Sequence, residues 1–292
     1  MPSDDPNTAA DQPNEPSGAA GHRPERVIAV TVTFRRPELL PRLLDAVRSQ
    51  TRPPDHYLLI DNGGDAEQPE GTRGWLEIIE TGENVGPAGG YSIGFREAVE
   101  RGADRVWVLD DDAIPDPDCL EQLLAAGGDI TVPRQRREVG TQEWLPWVGG
   151  LFDAEWVAKC GTPREDYFIW SEDYEYVQRL RQAGARLVRL TGDPSITHAN
   201  PMKHLRGEPR TWRLYYDTRN SLHYRLRMKP ATWRTRAKSA VGVAKIAAAI
   251  VAFEPHKRRS LGLLRRAVGD YRHGRMGKRV DHETWNREAA GA

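Results

Sequence analysis

An α/β fold, a mostly parallel sheet with helices on both faces, follows from three features of this sequence. Short apolar runs recur at Arg26–Phe34, His56–Ile60, Ile78–Ile79 and Arg105–Leu109, with the look of strands buried on both sides. Stretches of helical periodicity separate them, as in Leu39, Leu40, Leu43, Leu44 and Val47. Polar residues then close the runs: Asp61-Asn62 after the second and Asp110-Asp111-Asp112 after the fourth. Open α/β sheets bind their ligands at such carboxyl ends.

The elements follow in order. Val27, Ile28, Val30 and Val32 make the first strand; Pro37 suits the opening turn of the next helix, which Pro53-Pro54 ends. His56–Ile60 delivers Asp61 and Asn62 into a glycine turn, and Ile78-Ile79 marks a third strand. Asn84–Gly90 reads as a glycine-rich turn feeding a helix from about Tyr91 to Arg101. Arg105–Leu109 carries the aspartates, and Asp116-Pro117 suits the cap of a helix beginning near Asp118. Asp129–Pro133 is a short strand, Gln135–Trp147 a polar loop, and Trp147–Phe152 a return to the core. Phe168–Trp170 leads into a helix that opens on Ser171-Glu172-Asp173, carries Tyr176, Val177 and Leu180, and stops at Gly184. Ala185–Leu190 is a strand, Thr197–Pro201 a loop, and the chain from Arg210 onward is helical and basic. The expected division is a disordered tail over 1–24, a catalytic α/β domain over 25–228 and a basic helical extension over 229–292.

Composition narrows the function classes. Lys plus Arg is 42 and Asp plus Glu is 42, so nothing global points to nucleic acid. The first twenty-odd residues lack the apolar side chains needed to offset the entropy of ordering, and they lack the apolar core of a secretory signal. Cys119 and Cys160 stand far apart with no nearby ligand spacing, which argues against a zinc site or a disulfide framework and for a reducing, cytoplasmic setting. Ala240–Phe253, interrupted by Lys245, falls short of the roughly 20 residues a membrane span needs. Lys257-Arg258-Arg259 and Arg265-Arg266, beside Leu261, Leu263, Leu264 and Val268, fit either a solvated face or peripheral contact with the inner membrane surface.

Several polar groups arrive at strand and loop ends. Two carboxylates and an imidazole, Asp110, Asp112 and His198, suit Mg²⁺ or Mn²⁺ and leave positions open for diphosphate oxygens; the bland readings are a solvated turn for the triplet and a surface role for His198. His56, His204 and His223 compete with His198 for the ligand role. Glu172 and Asp173 at a helix start are favoured by the helix dipole, and a carboxylate there can also take the proton of an attacking hydroxyl. Trp170 beside them has the aromatic face that lines sugar-sized pockets. Gly86, Gly89, Gly90 and Gly94 permit either close backbone approach to a ligand or tight helix packing.

In their order along the chain, six segments together resemble the family 2 inverting glycosyltransferases of the GT-A fold. They are Val30-Thr31-Val32-Thr33-Phe34-Arg35-Arg36-Pro37, Ile60-Asp61-Asn62, Asn84-Val85-Gly86-Pro87-Ala88-Gly89-Gly90, Leu109-Asp110-Asp111-Asp112, Trp170-Ser171-Glu172-Asp173 and His198. The similarity spans about Val27 to Arg227, and the Asn84–Gly90 segment with Arg219-Asn220 looks most like the bacterial galactofuranosyl- and rhamnosyltransferase branch. The resemblance implies donor contacts from Thr33, Arg35, Asp61, Asn84, Gly89, Gly90 and Asp111. It implies Mn²⁺ or Mg²⁺ on Asp110, Asp112 and His198, and acceptor contacts from Trp147, Gly149, Gly150 and Trp170. Asp173 is then the base, with Glu172 able to share the acceptor because the pair reads Glu-Asp rather than Asp-Asp. The donor expected is a nucleotide-diphosphate sugar of the UDP-galactofuranose or dTDP-rhamnose type. The acceptor expected is a cell-envelope glycan or glycolipid, or a small natural product.

Two other classes share parts of this pattern. A nucleotidyltransferase would carry a glycine-rich basic loop near the first strand, where this chain reads Val-Thr-Phe-Arg-Arg-Pro. A non-catalytic nucleotide-sugar-binding protein would keep the fold without turnover.

Overall fold

A computed structural model describes residues 24–136, 147–192, 195–198, 212–228 and 231–281. The expected tail, most of the loop after Arg136, His204 and the Ala199–Pro201 segment lie outside these residues.

Seven strands form the main sheet in the order β3-β2-β1-β4-β8-β6-β9. They are β1 (Val27–Thr33), β2 (His56–Asp61), β3 (Leu76–Glu80), β4 (Arg105–Asp110), β6 (Ile130–Val132), β8 (Leu151–Asp153) and β9 (Leu187–Arg189). β1 runs parallel to β2 and β4, β2 to β3, and β6 to β9, whereas β8 is antiparallel to both β4 and β6. The sheet is therefore mostly parallel, and β1 and β4 at its middle are apolar on both faces because helices cover both. A second sheet of three short strands, β5 (Ala113–Pro115), β10 (Ile196–His198) and β7 (Gln135–Arg136), stands in the order β5-β10-β7 at the end of β4.

The helices are α1 (Leu40–Arg48), α2 (Gly86–Glu100), α3 (Cys119–Ala126), α4 (Ala154–Cys160), α5 (Glu172–Gln182), α6 (Arg213–His223), α7 (Trp233–Phe253) and α8 (Lys257–Arg272). α1 buries Leu40, Leu43, Leu44 and Val47, the periodic positions read from the sequence, and each fully buried side chain of this size contributes about 1.5–3 kcal/mol. α2 departs from expectation: it begins at Gly86, not near Tyr91. Its glycines allow it to lie close on β1, since a Cβ on Gly94 would stand 2.3 Å from Val30 and one on Gly90 would stand 2.5 Å from Val32. Thr197 and His198, expected in a loop, belong to β10, and Gln135 belongs to β7. Asp116 contributes to the start of α3 through its carbonyl, which accepts the Cys119 N–H; the Asp118 side chain makes no cap, and Gln50 Oε1 accepts the Leu120 N–H at 3.1 Å instead.

The C-terminal helices are fastened to the rest of the fold. Phe168, Trp212, Tyr215, Tyr216, Leu263, Ala267 and Val280 form a second apolar cluster, and Leu214, Ile250 and Leu264 a third. After α8 the chain returns to the loop before α5, where the Gly277 N–H donates to the Asp166 carbonyl at 2.6 Å.

Candidate active site

Strand ends set the acidic centre. Asp110 closes β4, Asp112 precedes β5, and the antiparallel register of β10 on β5 sets His198 opposite Ala113. One ligand atom from each of Asp110, Asp112 and His198 lies within 4.8 Å of the others. Two carboxylate oxygens and one imidazole nitrogen at this spacing fit a hard or borderline divalent cation such as Mg²⁺ or Mn²⁺. His198 Nδ1 is 3.4 Å from Asp112 Oδ1, and its Nε2 is 3.3 Å from Gln135 Oε1.

The three aspartates have different surroundings. Burial raises the Asp110 pKa, and the Asp112 charge adds to that, against a hydrogen bond from the Tyr91 hydroxyl at 2.7 Å. Asp111 is pushed up to about 7, chiefly by burial, with the Arg36 guanidinium opposing. Its carboxylate accepts from Arg36 at 2.6 Å and from the Thr33 hydroxyl at 3.2 Å. Burial acts upward on Asp112 too, but His198 and Arg36 outweigh it and hold the carboxyl below the usual range.

A strained loop presents the second acidic pair. Phe168, Trp170 and Ser171 all adopt positive φ, at 64°, 73° and 69°, which non-glycine residues hold only when the surroundings over-determine them. Arg219 and Asn220 of α6 supply that restraint. Asn220 Nδ2 donates to the carbonyls of Tyr167, Ile169 and Trp170, and Arg219 donates to those of Tyr167 and Gly277. Gly86 supplies the room: its φ is +74°, and a Cβ there would fall 2.1 Å from the Phe168 carbonyl oxygen.

From this loop α5 starts with Glu172 and Asp173. Burial, then the Asp173 charge, drives the Glu172 pKa well above the carboxylate range, and its Oε2 is buried without a hydrogen-bond partner. Asp173 is raised to about 7 by burial, with the Asp110 charge also acting upward, while a hydrogen bond from the Tyr174 N–H at 2.8 Å favours ionisation. Asp110 therefore lies close enough for its charge to be felt at both members of the pair. Asp173 is the more easily ionised of the two.

A polar cavity of about 450 Å³ opens beside the ends of β1, β2 and β3. Arg35 and Asn84 line it, together with Phe34, Asn62, Glu80 and Glu83, and with Lys278 and Asp281 from beyond α8. Thr33 and Asp61 stand behind this wall. Thr33 is buried against Asp111, and both Asp61 oxygens accept backbone N–H groups, from Gly63, Gly64 and Ala66 at 2.7–2.9 Å. Asp61 thus shapes the glycine turn.

Other expected contacts are corrected by burial. Gly89 and Gly90, read as donor contacts, lie buried inside α2; Gly90 packs on Val32, and a Cβ on Gly89 would stand 2.8 Å from the Val85 side chain. Trp147, read as an acceptor contact, is a core residue whose ring meets Tyr91 edge-on at 4.8 Å and packs with Phe95, Phe152 and Tyr176. Gly149 and Gly150 are likewise buried, extending the backbone pairing with Val108. Trp170 remains half-buried beside Glu172, on the strained loop. Of the competing histidines, His223 is committed to the Tyr167 hydroxyl at 2.8 Å, and His56 lies 3.3 Å from Glu77.

Sequence reading missed Arg36, Tyr91, Gln135 and Lys278. Arg36 carried the one available signal, a second arginine immediately after the first strand; the others depend on elements meeting in space.

Comparison with known proteins supports the same architecture. The profile described as Glycosyl transferase family 2 matches residues 28–146. Galactofuranosyltransferase GlfT1 of Mycolicibacterium smegmatis is 43% identical over 201 residues, covering 55% of this chain and 67% of that protein. Its namesake from Mycobacterium tuberculosis is 32% identical over 200 residues, covering 55% of this chain and 66% of that protein. The chain thus spans about two thirds of the length of these relatives. Among solved structures, S. aureus TarS 1-349 in complex with UDP-GlcNAc superposes with a TM-score of 0.58 at 12% identity, covering 84% of this chain and 80% of that one. The mannosyltransferase PcManGT from Pyrobaculum calidifontis, in complex with GDP-Man and Mn²⁺, gives 0.53 at 15% identity over 91% of this chain and 80% of that one. With a sheet of this order, an acidic strand end and these relatives, the chain belongs to glycosyl transferase family 2 and has the GT-A fold.

Proposed function

We propose that the protein is an inverting glycosyltransferase that moves a sugar, of the galactofuranosyl type, from a nucleotide diphosphate to an acceptor hydroxyl. One observation carries the reading: Asp110, Asp112 and His198 offer ligand atoms within 4.8 Å of one another, at the spacing a divalent cation needs, and the Asp110 charge is felt at both carboxylates of the Glu172-Asp173 pair. The trio would hold Mg²⁺ or Mn²⁺, which when bound supplies neutralisation of the diphosphate. The M. smegmatis and M. tuberculosis relatives favour galactofuranose as the sugar.

In the proposed reaction Asp173 accepts the acceptor's O–H proton. The freed electron pair forms a bond to the anomeric carbon, and the bond from that carbon to the phosphate oxygen breaks, its electrons leaving with the nucleoside diphosphate. Attack opposite the leaving group inverts the centre in one displacement and needs no enzyme nucleophile. Glu172, kept protonated by burial, positions the acceptor as a hydrogen-bond donor. Arg35 and Asn84 contact the nucleoside, while Thr33, Asp61 and Asp111 fix the loops that carry the donor contacts. Trp170 offers an apolar face to the acceptor sugar.

The test combines binding and turnover. Thermal shift with UDP-, dTDP- and GDP-sugars is expected to show stabilisation by one nucleotide class that requires Mn²⁺ or Mg²⁺, and nucleoside diphosphate release is expected to require an acceptor. Asp112→Ala and Asp173→Ala, each folded, should lose about 10²–10⁴-fold in transfer. Full activity in either variant overturns the reading. Release of pyrophosphate from a nucleoside triphosphate would move it to nucleotidyl transfer, and donor binding without turnover would move it to a binding protein.

The acceptor side includes a lipid surface in this reading. No helix among the described residues is long and apolar enough to cross a membrane. α7 nevertheless leaves Trp233, Ala237, Val241, Ala244, Ala248 and Val251 exposed along one stripe, bordered by Arg234, Lys238 and Lys245, with no acidic residue in the helix. Such a face suits peripheral contact with an anionic bilayer carrying a lipid-linked glycan.

A further inference from the structure

The donor cavity is not closed by the family-type core alone. Its outer wall comes from the strap Gly277–Asp281, which follows α8 and returns across the fold. Hydrogen bonds and one buried side chain hold the strap. The Gly277 N–H donates to the Asp166 carbonyl at 2.6 Å, and the Gly277 carbonyl accepts from Arg219 at 2.7 Å. The Tyr216 hydroxyl accepts from the N–H groups of Arg279 and Val280, both at 3.1 Å, and lies 2.9 Å from the Val280 carbonyl, while Val280 itself is buried in the apolar cluster around Tyr216. Gly277 has a φ of 82°, which turns the chain toward the cavity.

The strap brings Lys278 to the rim. Its ammonium donates to the Asn84 carbonyl at 3.2 Å and lies 5.6 Å from the Phe168 ring, so it bridges the start of α2 and the loop before Glu172. The ionisable side chains of the lining are Arg35 and Lys278 against Glu80, Glu83 and Asp281, one more negative than positive. A diphosphate is poorly placed in such a lining, whereas a neutral nucleoside with hydroxyl donors and carbonyl acceptors matches it. We propose that the strap is a working wall of the donor site and that Lys278 selects the donor by hydrogen bonding to its nucleoside end. The inference rests on the glycosyltransferase reading of the cavity and extends it to residues outside the catalytic sheet.

Calorimetric titration separates the two. The probes are UDP, dTDP and GDP with Mn²⁺, and the free nucleoside of whichever diphosphate binds most tightly. The proteins are the full chain, Lys278→Ala, Lys278→Arg and, as a control on the cavity itself, Asn84→Ala. Lys278 is exposed, so its substitution leaves the core intact, and thermal unfolding checks this. The expected result is a loss of about tenfold in affinity for diphosphate and nucleoside alike in Lys278→Ala, reduced preference among the three bases, and partial rescue by Lys278→Arg. Unchanged binding in Lys278→Ala alongside weakened binding in Asn84→Ala overturns the role of the strap and leaves the donor site standing. Weakened diphosphate binding with unchanged nucleoside binding overturns the nucleoside assignment. No binding to the full chain, or no effect of either substitution, overturns the donor reading of the cavity itself. As an independent readout, the bound diphosphate is expected to slow tryptic cleavage after Lys278 and Arg279; equal cleavage with and without it counts against the strap.

Discussion

Asp173, half-buried, adjoins buried Glu172 at the start of α5, and their proton affinities make that corner pH-sensitive in two separate ways. The first is stability. A carboxyl raised to about 7 in the fold from an ordinary 3.8 keeps its proton where the unfolded chain has lost it, so protonation favours the fold and that support drains away as pH climbs from about 4 to about 7. Asp173→Asn should therefore match the wild-type Tm near pH 4 and exceed it by roughly 2–4 °C near pH 8 in metal-free buffer. A constant difference across that range would contradict the assignment. The second is turnover: kcat/KM should rise with pH along a limb set by Asp173, and that limb should lie lower once a cation at Asp110 has taken up the neighbouring charge. Arg36 acts on the other side of the site. Removing it leaves Asp111 buried without its guanidinium, so Arg36→Ala should cost about 1–3 kcal/mol in denaturant unfolding above pH 7, and less at pH 5, where Asp111 takes up a proton.

Among the elements, α6 carries more of the site than its distance in sequence suggests. It contributes no group to the cation trio, yet Arg219 and Asn220 pin the loop whose positive φ angles aim α5. Asn220→Ala removes a side chain that satisfies three loop carbonyls, and a loss of kcat several times larger than any change in donor KM is expected. Equal kcat would show that the loop holds its shape unaided. The same level explains what could be read in advance. The aspartates of β4 were legible because an acidic run that ends an apolar strand has few structural tasks, and α1 was legible from its spacing alone. The start of α2 was misread because glycines that suit a turn also let a helix settle on Val30 and Val32, and only the packing partner distinguishes the two. His198 was recognised as a residue, but its strand was not: β10 has three residues and exists through its pairing with β5 and β7. Trp147, Gly149 and Gly150 went the other way, because an aromatic followed by glycines looks the same in a pocket as in a packed core.

For the molecule as a whole, the exposed stripe on α7 and the strap after α8 place the C-terminal region on two surfaces at once, one facing solvent and one facing the polar cavity. Val241 and Val251 are each more than half exposed, so charges placed there leave the core unchanged. Val241→Asp with Val251→Asp should reduce co-sedimentation with phosphatidylglycerol vesicles by roughly tenfold while leaving transfer to a short soluble acceptor intact. Equal sedimentation of the wild type with phosphatidylcholine and phosphatidylglycerol vesicles would remove the electrostatic part of the membrane reading. The sequence suggested a basic amphipathic face around 257–268, but Leu263 and Leu264 there are packed into the second and third apolar clusters; neither the α7 stripe nor the contribution of Lys278 to the cavity was read, since nothing local to Gly277–Asp281 shows that the chain returns to Asn84.

The contact between Tyr91 and Trp147 also makes the acidic centre optically addressable. The Tyr91 hydroxyl bonds to Asp110, and its ring meets the Trp147 indole edge-on at 4.8 Å, so a change of charge at Asp110 alters the electric field across a rigid, water-shielded chromophore pair. Near-ultraviolet circular dichroism of the unlabelled protein, with Trp147→Phe as the blank against the other eight tryptophans, would then report the arrival of a cation without any coupled assay.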